Sequence, residues 1–290
     1  MSGDEGYTRY GKRDRAGGGR TLIWLLLIVI VVGATGLAVA WDRIGGDDAP
    51  PPAPAAAEPA QRLLIREGLR REDIAAVLDR ETTISGDRYL VLTGPGQRGR
   101  RLARTGRPTS LEGFLFPATY EITSQTTAAN LVDLQIAAYE TAESQVNYSY
   151  ARSRNLTRYD VLILASMIER EVQVAKERRI VAGVMYNRLR EGMRLDIDAT
   201  VQYAIGEWKT ELTQSDLDTD SPYNTRKFAG LPPGPICNPG LASIRAAARP
   251  QVHDHLYYVA KNDGTGEHYF SSTPEQFEQD VARSRANAGG

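Results

Sequence analysis

Cysteine, histidine and net charge are all scarce in this sequence, and each scarcity removes a class of function. Cys237 is the only cysteine, which excludes an internal disulfide framework and a zinc site built from cysteines. The histidines are His253, His255 and His268. The first two stand two residues apart and would meet a metal only from a strand or loop; surface or hydrogen-bonded roles suit them better, and no metal site is assigned. The formal net charge is −1, which speaks against a general nucleic-acid binder. There is no internal repeat, no Walker or Rossmann glycine pattern and no nucleophile elbow, and no cofactor is assigned.

Residues 1–20 are polar and glycine-rich and are expected to form a disordered tail. Thr21–Trp41 (TLIWLLLIVIVVGATGLAVAW) carries no charge and is long enough to cross a bilayer as one helix. Trp24 and Trp41 suit the two interfaces. A cleaved signal peptide is the rival, but its apolar region is usually shorter. Basic residues precede the span, and Asp42, Asp47 and Asp48 follow it, so the positive-inside rule puts the N-terminus in the cytoplasm and the rest outside. Residues 42–60 contain DDAPPPAPAAAEPA, an extended, semi-rigid spacer.

Residues 61–108 read as a small α/β unit: a strand over Arg62–Arg66, a turn at Glu67-Gly68, a helical pattern over Arg70–Arg80 and a short apolar run at Tyr89–Leu92. A basic, glycine-rich loop from Gly94 to Pro108 closes it; such charge runs are usually just solvated. Residues 109–286 form the larger, mainly helical part, making the whole α+β. LEGFLFPATYEI (Leu111–Ile122) is too dense in aromatics, glycine and proline for a surface helix and suggests a packed, extended segment with Glu112, Thr119 and Tyr120 as polar handles. Helices are expected over Thr127–Val146 and Glu177–Arg190, the latter capped by Gly192. Met193–Asp198 alternates like a strand, and Asp198 can cap a short helix from Thr200 to Ile205. SPYNTRKFAGLPPGPICNPG (Ser221–Gly240) is a rigid loop suited to polar, hydroxylated ligands. A helix over Leu241–Ala248, a hairpin around NDGTG and a last helix opened by Thr273-Pro274 complete the chain.

The centre of this pattern is the helix expected from Tyr159 to about Val174 (YDVLILASMIEREVQV), with Thr157 and Asp160 as its capping pair. Its first turns are apolar nearly all round and should be core. Glu171 lies at helical spacing from Leu164, Met167 and Ile168 and continues the apolar stripe. Glu169 sits roughly 200° away around the helix at about 100° per residue. A carboxyl at the edge of an apolar face has its charged form disfavoured, which makes it a general acid near neutral pH. Spacing alone leaves a second reading open, that Glu171 pairs with an arginine such as Arg178.

Four stretches in order carry a resemblance: LEGFLFPATY, ASMIEREVQVAKERRIVAGVMYNRLREGMRLDIDATVQYAIG, SPYNTRKFAGLPPGPICNPG and LYYVAKNDGTGEHYFSS. Together they resemble the YceG-like (MltG) endolytic murein transglycosylases. The resemblance implies a single-pass cell-membrane protein with a small LysM-like unit and a mainly helical, lysozyme-like catalytic domain with short β-hairpins outside the cytoplasm. It implies cleavage of nascent peptidoglycan strands at the MurNAc–GlcNAc bond, leaving 1,6-anhydroMurNAc ends and terminating elongation. Glycan strands are then the substrate and peptidoglycan synthases candidate partners, with no nucleic acid. The second acid of the E-x-E pair, here Glu171, becomes the catalytic residue. Asn187, Asp198, Tyr223, Asn224 and Thr225 fall on motif positions that resemble groove-lining residues, joined by Glu112 and Tyr120 as substrate contacts. On this reading the loop Ser221–Gly240 walls the groove facing Glu171, and Asn224→Ala leaves stability within about 0.5 kcal/mol, as at a surface position. The chain departs from the family's usual proline-glutamate-glycine turn, which reads Arg66-Glu67-Gly68, and has Asp196-Ile197-Asp198-Ala199 where glutamine-threonine-aspartate-proline is common. The alternative is a membrane-anchored, non-catalytic peptidoglycan-binding scaffold.

Overall fold

Every residue from Tyr159 to Ile168 is buried, and the fold is assembled around the helix that holds them. The computed structural model describes residues 60–96 and 110–289, which belong to one compact unit, Glu58–Gly290. The expected span Thr21–Trp41, nearly all of the linker and most of the basic loop (97–108) lie outside the described residues. Among the described residues no helix is long and apolar enough to cross a membrane.

The architecture is α+β. Strand β1 (Gln61–Leu64) pairs antiparallel with β2 (Thr119–Ile122), with Leu63 opposite Tyr120. Between them in sequence lie α1 (Arg71–Glu81) and α2 (Gly86–Thr93), packed on each other. Tyr89–Leu92, the short apolar run, is thus helical. The partner of β1 comes from the end of LEGFLFPATY. Only that end is extended; Leu111–Leu115 turns on itself, with Phe114 N–H donating to the Leu111 carbonyl at 3.0 Å. Turning lets Leu111, Phe114 and Leu115 all point into the core.

The helical part follows: α3 (Ala128–Ser144), α4 (Ser149–Ser153), α5 (Arg158–Glu171), α6 (Arg178–Arg190), α7 (Asp198–Ile205), α8 (Gln214–Leu217) and α9 (Leu241–Ala248). The α5 start is a full capping box: Thr157 Oγ1 accepts from Asp160 N–H, and Asp160 Oδ2 accepts from Thr157 N–H. Its buried Leu, Ile and Met side chains contribute about 1.5–3 kcal/mol each. The helix stops at Glu171, and Val172 leaves in extended conformation. Serine and alanines on α9 let it lie close along α5.

Helix α6 ends in a reverse turn at Gly192, whose φ of +68° favours glycine. Met193 N–H then closes onto the Arg188 carbonyl at 2.8 Å. Gly183, mid-helix, admits the chain at 251–253: a Cβ there would collide with the Gln251 carbonyl oxygen and the His253 ring. The strand expected at Met193–Asp198 does not form. Among the described residues no strand lies alongside it, Asp196 adopts φ +54°, and its N–H goes to the Thr225 carbonyl of the proline-rich loop. Nor does Asp198 cap α7; it is the first helical residue, and Ile197 occupies the cap position.

Hairpin β3 (Tyr257–Ala260) and β4 (His268–Ser271) pairs Tyr258 with Phe270 and Ala260 with His268, which puts these four on one face. Helix α10 (Pro274–Ala288) starts at Thr273, whose hydroxyl accepts from Gln276 N–H, and it stacks Phe277 on Tyr257 with centroids 5.2 Å apart.

Candidate active site

Glu171 is the last residue of α5, so its side chain leaves the core where the helix ends. The hairpin face folds over that end. Tyr258 Oη donates to Glu171 Oε2 at 3.1 Å, and the Tyr258 ring meets the His268 ring edge-on at 5.4 Å. His268 is held from behind by Glu177: its Nδ1 lies 2.8 Å from Glu177 Oε2, and its backbone N–H donates to Glu177 Oε1. Burial raises the pKa of Glu171 above its ordinary value, and the nearby Asp198 carboxylate adds to the rise. The Tyr258 hydroxyl, the His268 ring and the Ala199 N–H oppose it.

Two depressions meet at this carboxyl. The larger, about 580 Å³, is walled by Arg188, Asp196, Asp198, Arg226 and Tyr257. The smaller, about 270 Å³, runs past Gln173, Asn262, Gly264 and Gly266. Glu171, Ala260 and His268 line both. Arg188 is anchored inside by the carbonyls of Leu256 and Leu195 at 2.6 and 2.7 Å, and Arg226 Nη1 donates to Asp198 Oδ1 at 2.7 Å.

The open choice over Glu171 resolves in the neighbouring acid. Arg178 reaches Glu169, at 3.9 Å, and Glu169 also accepts from Gly240 N–H at 3.0 Å. The two acids face apart as their helical spacing requires: Glu169 joins α5 to α9, and Glu171 enters the cleft.

Of the other residues expected at the site, Asp198 shares the larger depression with Glu171. The loop Ser221–Gly240 reaches that depression through Arg226, and its neighbours turn away. Asn224 is 0% exposed; its Nδ2 donates to the carbonyls of Leu217 and Thr219, and its Oδ1 accepts from Arg226 N–H. Asn224 is therefore no surface position, which corrects the expectation of a stability-neutral alanine. Thr225 Oγ1 accepts from Ile197 N–H and lies 2.9 Å from Thr200 Oγ1, fixing the start of α7. Tyr223 tilts against Tyr203 at 4.8 Å, half-buried. Asn187 spends its amide on the carbonyls of His253 and His255 and borders a separate cavity with Tyr150 and Tyr186. Tyr120 gives its hydroxyl to the Phe116 carbonyl. Glu112 lies buried under the fold, accepting from Asn238 Nδ2 at 2.8 Å and from Arg71 N–H at 3.3 Å; burial pushes its pKa up to about 8. None of Asn187, Tyr120, Glu112, Tyr223, Asn224 and Thr225 lines either depression at Glu171.

Tyr258, His268, Glu177 and Arg226 were not singled out from sequence. The hairpin signal NDGTG marked the two strands that carry Tyr258 and His268, but nothing local says that this hairpin closes over the end of α5. Among the described residues no group of His, Cys, Asp or Glu is gathered closely enough to hold a metal ion.

Residues 53–283 match the model of the YceG-like family. The chain belongs to the YceG-like family. A relative in Bacillus subtilis, named endolytic murein transglycosylase, is 42% identical over 219 residues, covering 71% of this chain and 60% of that protein. One of the same name in Streptococcus pneumoniae is 38% identical over 184 residues, 61% of this chain and 33% of the relative. This YceG-like chain thus spans less than two thirds of the length of these curated relatives. A crystal structure of a yceG-like protein from Listeria monocytogenes superposes with a TM-score of 0.66 at 33% identity, covering 77% of this chain and 76% of that one. The YceG-like fold therefore holds Glu171 and the hairpin within the matched region.

Proposed function

We propose that this chain is an endolytic murein transglycosylase with Glu171 as its single acid and base. The carrying observation is the position of Glu171 at the junction of two depressions, with its pKa raised and Tyr258 on its Oε2. Protonated Glu171 gives its proton to the oxygen bridging MurNAc and GlcNAc, and the C1–O bond breaks. The positive charge that develops on the MurNAc ring is shared with its N-acetyl group. Glu171, now a carboxylate, takes the proton of the C6 hydroxyl as that oxygen closes onto C1. The product is a 1,6-anhydro sugar and a free GlcNAc hydroxyl, with no water consumed. The intramolecular nucleophile replaces a positioned water through its effective molarity, so a second carboxylate is not required. Its neighbour Asp198 is engaged by Arg226, which suits a wall residue better than a base for water. Support also comes from the names of the relatives.

On the same reading residues 61–108 serve as an abbreviated LysM-like unit, 109–286 as a lysozyme-like domain and Thr21–Trp41 as an uncleaved anchor. The chain then ends elongation of strands beside a synthase. Protease added to spheroplasts should remove the C-terminal part; protection there contradicts the orientation. For the chemistry, strands digested with the purified protein are read by mass spectrometry. Anhydro ends are expected. Reducing ends would mean a hydrolase, and intact strands a scaffold.

A further inference from the structure

Away from the cleft, a cavity of about 520 Å³ opens between the end of α3, the start of α6 and the outer face of α9. Arg178, Arg179, Arg245 and Arg249 line it, with the side-chain amides of Gln145 and Asn147. Several arginines elsewhere are paired with a carboxylate, as in Arg70–Asp73, Arg158–Glu143, Arg226–Asp198 and Arg283–Asp280. Here, among the described residues, only Arg178 has a carboxylate partner, Glu169 at 3.9 Å. Arg179 Nε donates to the Arg249 carbonyl and Arg245 Nη2 to Gln145 Oε1, both at 3.0 Å. Those bonds orient guanidinium groups without cancelling their charge. In a chain of net charge −1, four cations around one concavity repel one another, and an anion entering it relieves that repulsion.

We propose that this cavity binds the carboxylates of a peptide, the stem peptide borne by the muramic acid of the substrate. The inference rests on the murein-cleaving reading above. Guanidinium forks match carboxylates with two parallel bonds, and the Gln145 and Asn147 amides beside small alanines of α9 suit a peptide backbone. The reach also fits. Gln173 borders the smaller depression at Glu171, and Ala175 borders the arginine cavity. The four-residue step from Glu171 to Ala175 spans at most about 14 Å, the reach of an extended tetrapeptide starting from a sugar at Glu171.

The full chain and its Arg245→Gln/Arg249→Gln variant are titrated with a free stem tetrapeptide, then assayed on strands with and without their peptides. The peptide should bind the wild type and bind the variant about tenfold more weakly, the loss of one or two charge-assisted bonds. On peptide-bearing strands the variant should lose a similar factor in kcat/KM, through KM, and on peptide-free strands nothing. Arg249→Gln alone, where the side chain holds no other group among the described residues, serves if the double variant melts early. Peptide binding indifferent to these substitutions, or an equal loss on both kinds of strand, overturns the proposal. So does a phenotype confined to binding of phosphatidylglycerol vesicles, which would assign the arginines to a membrane. A wild type that binds peptide through these arginines but cuts no strand would keep the site and remove the murein-cleaving reading.

Discussion

A carboxyl can act as acid and then as base only when its two forms lie close in energy at the working pH. Around Glu171 the groups pull both ways. Burial and Asp198 favour the neutral form, and the Tyr258 hydroxyl, His268 and the Ala199 N–H favour the charged one. Removing either influence has a predictable sign. The acid must be protonated, so kcat/KM falls as pH rises through the raised pKa. Tyr258→Phe deletes a donor to the carboxylate and should move this alkaline limb to higher pH. Asp198→Asn deletes a like charge and releases Arg226, and should move it to lower pH. Parallel shifts in the two pH–rate profiles would mean that Glu171 is not the titrating acid. The same pKa has a stability consequence. From the ordinary carboxyl value of 4.5 up to the raised value, the folded protein holds a proton that the unfolded chain has released. Stability therefore falls as pH rises through that window. Glu171→Gln removes the titration, so its melting temperature at neutral pH should exceed that of the wild type, with the gain disappearing below 4.5. A gain that persists in acid would assign it to packing instead.

At the scale of the element, the loop Ser221–Gly240 works by internal fastening. Asn224 holds the carbonyls of Leu217 and Thr219 and the Arg226 N–H, so Asn224→Ala removes three part-buried hydrogen bonds. The expected loss is about 1–3 kcal/mol, read by chemical denaturation, with activity falling because Arg226 is no longer presented to Asp198. A stability change within error would contradict the fastening role. Local chemistry was legible where it acts locally. Thr157 and Thr273 each cap the helix expected of them, and the hairpin expected around NDGTG forms. Long-range placement was not. Met193–Asp198 alternates like a strand but finds only loop backbone beside it, and Asn224 has the composition of a sugar contact yet meets carbonyls seven and five residues back. The helical face of Glu171 was readable because an α-helix fixes side-chain direction every turn. The partners Tyr258 and His268 were not, because they arrive from residues about 90 positions later.

For the whole molecule, the feature that supports the proposed chemistry is that Glu171 sits at a junction of two depressions. Two depressions share Glu171, and the proposed internal cut requires that a polymer lie through both without presenting an end. The walls come from the central helix, the start of α7, the proline-rich loop and the C-terminal hairpin; Asn238 ties that loop to the Leu111–Leu115 turn, accepting from the N–H groups of Gly113 and Leu115 and donating to Glu112. The measurement that tests the central assignment most directly is a mass-spectrometric count of 1,6-anhydroMurNAc ends on purified glycan strands incubated with wild type and with folded Glu171→Gln. Wild type should generate these ends within long strands, giving fragments of intermediate length early in the reaction, and Glu171→Gln should generate none. Undiminished anhydro ends from Glu171→Gln, or a wild type that only releases disaccharides from strand termini, would contradict it.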